Sequence, residues 1–320
     1  MRSDELDYDL PEELIAQRPA ARRDASRLLV YERAGGTVRH RSFAELPKEA
    51  RGFLVVVNDT RVVPARLRLR RATGGAVELL LLERLAEERE WEALARPSRR
   101  LRPGERLEPA GGPRGGVVLT EALGEGRWRV RLDGEPAGEA PLPPYVHERL
   151  EDPERYQTVY ADVEGSAAAP TAGLHFTPRV LAGLDVERVT LHVGLDTFRP
   201  LAADTLEEHA LHGERYRVEA AAWRRIAGAD RVLAVGTTTT RVLETVARTG
   251  ALEGRTGLFI RPGHAFRRVD ALLTNFHLPR TTLLALVMAF AGVEETRELY
   301  RLAIAERYRF YSFGDAMLLL

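Results

Sequence analysis

The sequence predicts a mixed α/β fold: an α/β domain with a small β-barrel domain inserted into it. Three observations lead there. Residues 149–320 alternate β-type and helical patterns. Residues 63–148 carry short β-type runs divided by Gly- and Pro-rich turns, with no long helical period between them. Residues 1–62 hold two further β-rich runs, which supply the first strands of the α/β domain. The expected division is 1–62 with 149–320 as a discontinuous catalytic domain and 63–148 as the inserted barrel.

The elements follow in order. Asp9-Leu10-Pro11-Glu12-Glu13-Leu14-Ile15 reads as a capped helix start with an early proline. Residues 27–31 and 53–57 read as strands, and the second is apolar throughout, so it should be covered on both faces. In the middle zone 76–82, 91–94, 116–119 and 128–132 read as strands. The turns between them include Thr73-Gly74-Gly75, Arg102-Pro103-Gly104 and Gly111-Gly112-Pro113. Pro141-Leu142-Pro143-Pro144-Tyr145 is a stiff connector. Beyond it, 186–193, 231–235 and 258–260 read as strands and 206–212, 241–247 and 283–290 as helices, the last one buried.

Composition narrows the function. The 47 basic and 47 acidic residues cancel, which excludes a globally basic nucleic-acid binder but not a local patch. Arg66, Arg68 and Arg70 alternate along one predicted strand face, and residues 66–106 hold 11 arginines against 7 acidic residues. That surface reads as a phosphate-contacting patch or as a solvated arginine face in a chain whose lone lysine is Lys48. The absence of cysteine removes disulfides, iron–sulfur clusters, thiolate zinc sites and a cysteine nucleophile. Residues 1–20 are acidic without an apolar core of a signal peptide, and the most apolar stretch, 283–293, is too short to span a bilayer. A soluble, cytoplasmic protein is expected.

Several motifs carry chemistry. In Val235-Gly236-Thr237-Thr238-Thr239-Thr240 a strand runs through one glycine into a helix start. The hydroxyls and free N–H groups there suit an anion, or they serve as an ordinary helix cap. No lysine follows, so it is not a P-loop. Asn58-Asp59-Thr60-Arg61 follows an apolar strand, where α/β folds place ligand groups, although Asn and Asp also make plain turns. Six of eight histidines (His175, His192, His209, His212, His264 and His277) lie after residue 170. His209 and His212 would share one helix face, but no carboxylate falls at metalloprotease spacing and no second His pair exists, so no metal is expected.

Taken in order, these motifs closely resemble one family. Asp24-Ala25-Ser26-Arg27-Leu28-Leu29, Asn58-Asp59-Thr60-Arg61-Val62-Val63-Pro64-Ala65-Arg66 and Pro141-Leu142-Pro143-Pro144-Tyr145 come first. Glu154-Arg155-Tyr156-Gln157-Thr158-Val159-Tyr160, Pro170-Thr171-Ala172-Gly173-Leu174-His175-Phe176 and Thr190-Leu191-His192-Val193-Gly194 follow. The Gly-Thr run, Thr274-Asn275-Phe276-His277-Leu278-Pro279 and Tyr311-Ser312-Phe313-Gly314-Asp315-Ala316-Met317 complete the set. The chain resembles, over essentially its whole length, the S-adenosylmethionine:tRNA ribosyltransferase-isomerases of queuosine biosynthesis. One departure is visible: the family usually reads Gly-x-Gly-Thr-Phe where this chain has Gly194-Leu195-Asp196-Thr197-Phe198. If that position takes a positive φ, Asp tolerates it better than most residues, at some cost.

The resemblance implies the α/β domain with its inserted barrel. It also implies transfer and isomerisation of the ribosyl part of S-adenosylmethionine onto 7-aminomethyl-7-deazaguanine at the tRNA wobble position. The products would be epoxyqueuosine-tRNA, adenine and methionine. The sulfonium acidifies the adjacent C5′ protons; a base removes one, adenine leaves, and the substrate amine later displaces methionine. This needs acid–base groups and a cation-holding site, with no metal and no cysteine. On this reading His175 and His192 are the acid/base pair, and Asp59 with Asn58 and Arg61 orients polar groups of the co-substrate. Gly236, Thr237, Thr238 and Thr239 bind the methionine carboxylate or a tRNA phosphate, Gly194 belongs to the co-substrate site, and Asn275 and His277 line the same cleft. Tyr156 and Gln157 recognise the flipped base, and Arg66, Arg68 and Arg70 contact the tRNA. No membrane and no obligate protein partner is expected, so the protein should be a monomer. A methyltransferase would carry an acidic Gly-rich loop after its first strand, which is not found. A metal-dependent hydrolase would use the histidines, and a tRNA-binding adapter would leave the α/β motifs without a role.

Overall fold

The computed structural model describes residues 1–320 apart from 86, 88, 111–114, 149, 195–203, 210 and 212. The chain forms two compact units. The first comprises Met1–Thr60, Pro143–Val163 and Ala169–Leu320, the second Arg61–Leu142 and Glu164–Ala168. Along the chain come β1 (Arg27–Glu32), β2 (Thr37–Ser42), α1 (Leu46–Glu49), β3 (Leu54–Asn58) and β4 (Thr60–Val62). The six strands of the second unit follow: β5 (Arg66–Arg71), β6 (Ala76–Arg84), β7 (Glu90–Arg96), β8 (Arg106–Pro109), β9 (Val117–Gly124) and β10 (Arg127–Leu132). Next are β11 (Val163–Ser166), α2 (Pro178–Ala182), β12 (Asp185–Leu191), β13 (Glu214–Arg217), α3 (Ala220–Gly228) and β14 (Val232–Val235). Last come α4 (Thr237–Thr249), β15 (Glu253–Thr256), β16 (Ala271–Asn275), α5 (Thr282–Ala291), α6 (Val293–Ala305) and β17 (Ala316–Leu319).

The first unit is built on a nine-stranded sheet in the order β15-β13-β12-β3-β14-β16-β17-β1-β2. β3 is buried at all five positions, as its unbroken apolar run requires, between parallel neighbours β12 and β14. β16 continues the parallel set, so β12, β3, β14 and β16 end at one edge of the sheet. β17 is antiparallel to β16 and parallel to β1, which brings the amino ends of β17 and β1 to that same edge. Loops before and after these strands therefore gather at one place. Helix boundaries follow local chemistry. Gly236 (φ 89°) makes the turn from β14 into α4, and Gly250 in the left-handed region ends that helix. Thr281 caps α5 by accepting the Leu284 N–H at 3.3 Å.

The second unit is a closed antiparallel barrel, β10-β7-β6-β5-β8-β9. Alternation fills it: Leu67, Leu69, Leu79, Trp91, Ala93, Val117, Leu119, Trp128 and Val130 are buried, with polar residues between them. Closure leaves no strand edge open within this ring.

Three expected elements differ. The helix expected to begin at Pro11 is a single 3-10 turn, Glu12–Leu14. Residues 206–209 and 211 of the expected 206–212 helix are not helical, and 210 and 212 lie outside the described residues. Thr205 bridges Arg2, and the Leu206 N–H donates to the Met1 carbonyl at 3.0 Å. These backbone groups are spent on the amino-terminal segment rather than on a helical turn. The strand expected at 258–260 lies at Glu253–Thr256, where β13 offers a partner in register. The Leu258 carbonyl is instead taken by the Arg241 guanidinium.

Leu273 is fully buried in β16, whereas Leu123 is 42% exposed in β9. Leu273→Ala should remove about 2–5 kcal/mol of unfolding free energy. Leu123→Ala should change it by less than about 0.5 kcal/mol. Urea denaturation of both variants measures the contrast.

Candidate functional site

At the end of β3 the polar side chains are drawn into the sheet edge. Asn58 is fully buried. Its Oδ1 accepts the N–H groups of Leu191 (3.0 Å) and Thr60 (3.2 Å), and its Nδ2 donates to the Leu191 carbonyl (2.9 Å). Asp59 accepts from the Thr190 hydroxyl at 2.7 Å, and burial pushes its carboxyl above the usual range. Thr60 Oγ1 lies 2.9 Å from Nδ1 of His192, which is itself only partly buried. His192 thus has one ring nitrogen engaged at Thr60 and some of its surface open to solvent.

The β14–α4 turn is the second part. Gly236 donates to the Leu273 carbonyl at 2.7 Å, and at φ 89° an L side chain would be strained there. Thr239 and Thr240 return their hydroxyls to the carbonyls of Val235 (2.6 Å) and Gly236 (3.1 Å). Thr237 and Thr238 are each 6% exposed. They start the helix where backbone N–H groups have no helical acceptor. A β-carbon placed on Gly236 would stand 3.7 Å from that of Ala172, so this turn lies against the 171–175 segment.

The third part joins strand β16 to that segment. Asn275 Nδ2 donates to His175 Nε2 (3.1 Å) and to the Asp315 carbonyl (3.3 Å), while its Oδ1 accepts from the Thr171 hydroxyl (3.0 Å). Ser26 donates to the Arg23 carbonyl (3.2 Å), so its oxygen accepts from Nδ1 of His175 (2.9 Å). This network fixes the neutral Nδ1–H tautomer and occupies both ring nitrogens. Burial, with the nearby Arg23 and Arg309 charges, lowers the His175 pKa to about 3. His277 is likewise held neutral, pushed down to about 3 by burial, with Nε2 2.7 Å from the Thr274 hydroxyl. A small cleft opens here, lined by Tyr145, Thr171, Asn275, His277, Tyr311 and Ser312 among others. Tyr145 and Tyr311 pack ring to ring at 4.7 Å, and the Tyr145 hydroxyl meets Ser312 Oγ at 2.6 Å. Burial raises the Tyr145 pKa to about 12. Tyr311 holds φ 71°, a conformation costly for a non-glycine residue and concentrated at functional sites.

The structure brings Asn58, Asp59, His175, His192, Gly194, Gly236, Thr237, Thr238, Thr239, Asn275 and His277 into the first unit. Arg61 begins the second unit, with Arg66, Arg68 and Arg70. Two observations bear on the expected base and tRNA contacts. Tyr156 has no exposed surface and sits edge-on to Phe313 at 5.9 Å, so no face of its ring is open for stacking on a base; its neighbour Gln157 is 9% exposed. The arginine patch is less charged than its count suggests. Arg68 pairs with Glu139 (3.1 Å), Arg71 with Glu105 (2.5 Å) and Arg106 with Asp133 (2.5 Å), and two of these acids lie outside residues 66–106. Asp196 and His212 lie outside the described residues. Sequence reasoning passed over Thr60, Ser26, Thr171, Tyr145 and Tyr311. All five stand inside the quoted motifs: Thr60 and Thr171 share theirs with Asp59 and His175, whereas the motifs holding Ser26, Tyr145 and Tyr311 supply no other candidate residue.

Known proteins match the whole chain. The family model described as "Queuosine biosynthesis protein" matches residues 3–319. The chain is similar to the S-adenosylmethionine:tRNA ribosyltransferase-isomerase of Rubrobacter xylanophilus, with 56% identity over 100% of this chain and 98% of the relative. That of Symbiobacterium thermophilum is 52% identical, with 100% of each chain covered. Among solved structures, the S-adenosylmethionine tRNA ribosyltransferase of Thermotoga maritima is similar at 39% identity. It covers 99% of this chain and 100% of its own, with a TM-score of 0.57.

The sealed histidines set a pH dependence. A His whose folded pKa lies below its unfolded value near 6.5 contributes its full stability above 6.5 and loses it as pH falls. The fall continues until pH reaches the folded value of about 3 for His175 and His277. Unfolding free energy, followed by urea denaturation, should drop by about 1.4 kcal/mol per pH unit for each group between pH 6 and 4. His277→Gln should make that decline shallower, and an unchanged slope would contradict this assignment.

Proposed function

The chain belongs to the queuosine biosynthesis protein family, and we propose that it is an S-adenosylmethionine-dependent tRNA ribosyltransferase-isomerase. It transfers and isomerises the ribosyl group onto 7-aminomethyl-7-deazaguanine at the tRNA wobble position. Epoxyqueuosine-tRNA, adenine and methionine leave. What carries this reading is the gathering of the family's motif residues at one edge of the first unit's sheet, in a chain akin to these enzymes from end to end.

The side chains divide the work. His192 is the base for the C5′ proton, because it alone of His175, His192 and His277 is only partly buried. Thr60 orients it from the neighbouring strand end, where Asp59 holds Thr190. His175, with both nitrogens occupied, holds the Asn275 carboxamide toward the cleft instead of moving protons. The Gly236–Thr239 turn receives the methionine carboxylate through the first amides and hydroxyls of α4. The partly exposed Tyr145 ring, packed on buried Tyr311, supplies the aromatic face that suits a sulfonium or a planar base, the role that sealed Tyr156 does not fill. Arg70, with Arg66 and Arg68 on the same strand, contacts tRNA phosphate.

Incubation with S-adenosylmethionine and tRNA bearing the aminomethyl-deazaguanine should release adenine. His192→Ala should lower that turnover by about 10²–10⁴-fold; near-parental turnover would remove His192 from the role. Arg68→Ala with Arg70→Ala should reduce the slope of log affinity for tRNA against log salt by about 1–2. An unchanged slope makes the arginine row a solvated face.

A further inference from the structure

A buried ion pair links two parts of this site. Arg241 stands four residues past Thr237, on the same face of α4. Its side chain is 7% exposed and forms an ion pair with Glu214, itself 9% exposed. The rest of the guanidinium is consumed by backbone: Nε donates to the Leu258 carbonyl at 2.9 Å and Nη2 to the Thr256 carbonyl at 3.0 Å. The other oxygen of Glu214 accepts the Gly194 N–H at 2.8 Å. The next residue, Arg215, accepts the His192 N–H at 3.0 Å through its carbonyl. β13 therefore grips the chain on both sides of Val193, once through a backbone carbonyl and once through a carboxylate. That carboxylate is anchored to the helix bearing the Gly236–Thr238 turn.

Stability alone does not account for such a pair. Two buried charges exchange strong hydration for mutual attraction, and an apolar pair of similar size commonly does as well or better. What the pair supplies is geometry: a planar fork with one orientation, fixed by three acceptors, holding a carboxylate that fixes a backbone amide. We propose that Glu214 and Arg241 are positioning residues that set the His192–Gly194 segment against the amino end of α4, so that proton removal and anion binding act on one substrate molecule. This rests on the reading of that edge as the S-adenosylmethionine site.

The test compares the parent with Glu214→Gln and with Glu214→Gln/Arg241→Met, which removes both charges and leaves neither buried alone. Thermal unfolding, kcat and KM for adenine release, and ¹⁵N NMR of the Gly194 amide and the His192 ring are measured. The double variant should unfold near the parent temperature. Its kcat should fall at least about tenfold while KM for S-adenosylmethionine moves less than about threefold. The Gly194 and His192 signals should shift. A folded double variant with kcat within about twofold of the parent and unmoved Gly194 and His192 signals overturns the proposal. If the double variant does not fold, the near-isosteric Glu214→Gln decides by the same signals and the same kcat-against-KM split. If the parent itself releases no adenine, the functional reading has failed, and the Gly194 and His192 signals alone decide whether the pair positions this segment.

Discussion

Asn58 ends β3 with a carboxamide that has no access to water, and the contacts around it follow from the need to satisfy it. Its three hydrogen bonds go to Leu191 on β12 and to Thr60, so the register between two parallel strands and the start of the next loop are fixed together. Asp59 and Thr60 then have little choice of direction. One meets Thr190 and the other meets His192, both on the strand end that Asn58 has already clamped. On the other flank β3 pairs with β14, so the Gly236 turn emerges at the same edge without any contact of its own to Asn58.

The far half of the edge obeys the same rule with different groups. Ser26, His175, Asn275 and Thr171 pass hydrogen bonds along a line in which each donor finds an acceptor, and the imidazole in the middle is neutral because nothing there can accept a second proton. Three histidines in similar motifs thus acquire different characters from their surroundings. His175 and His277 become fixed neutral hydrogen-bonding struts, while His192 is only partly buried. Strain at Tyr311 marks the rim where this half opens toward the cleft.

Much of the layering was legible because it rests on local pattern. The apolar run of β3, the alternation in β5 and the Gly-to-Thr transition before α4 each state their environment in a few residues. Residues 206 and 258–260 misled because their fate depends on distant partners, Met1–Ser3 in one case and the Arg241 guanidinium in the other. The site was half legible for the same reason. Motifs named the neighbourhood, but which member faces the cleft follows from topology: Tyr156 and Tyr145 look equally suited in sequence, and burial separates them only once the strands are assembled. The Glu214–Arg241 pair carries no local signature, since its partners lie 27 residues apart on different elements.

The strand order also imposes a timetable on the growing polypeptide. β17 sits between β16 and β1, so an interior position of the nine-stranded sheet stays unfilled until residue 319 has been made. The six barrel strands, by contrast, all lie between residues 66 and 132 and find every neighbour among themselves. During synthesis the barrel can close while the β1–β2 hairpin and β3 wait at the ribosome surface with their apolar faces unmatched. The interval between those two events, nearly two hundred codons long, is when this chain has most need of a chaperone.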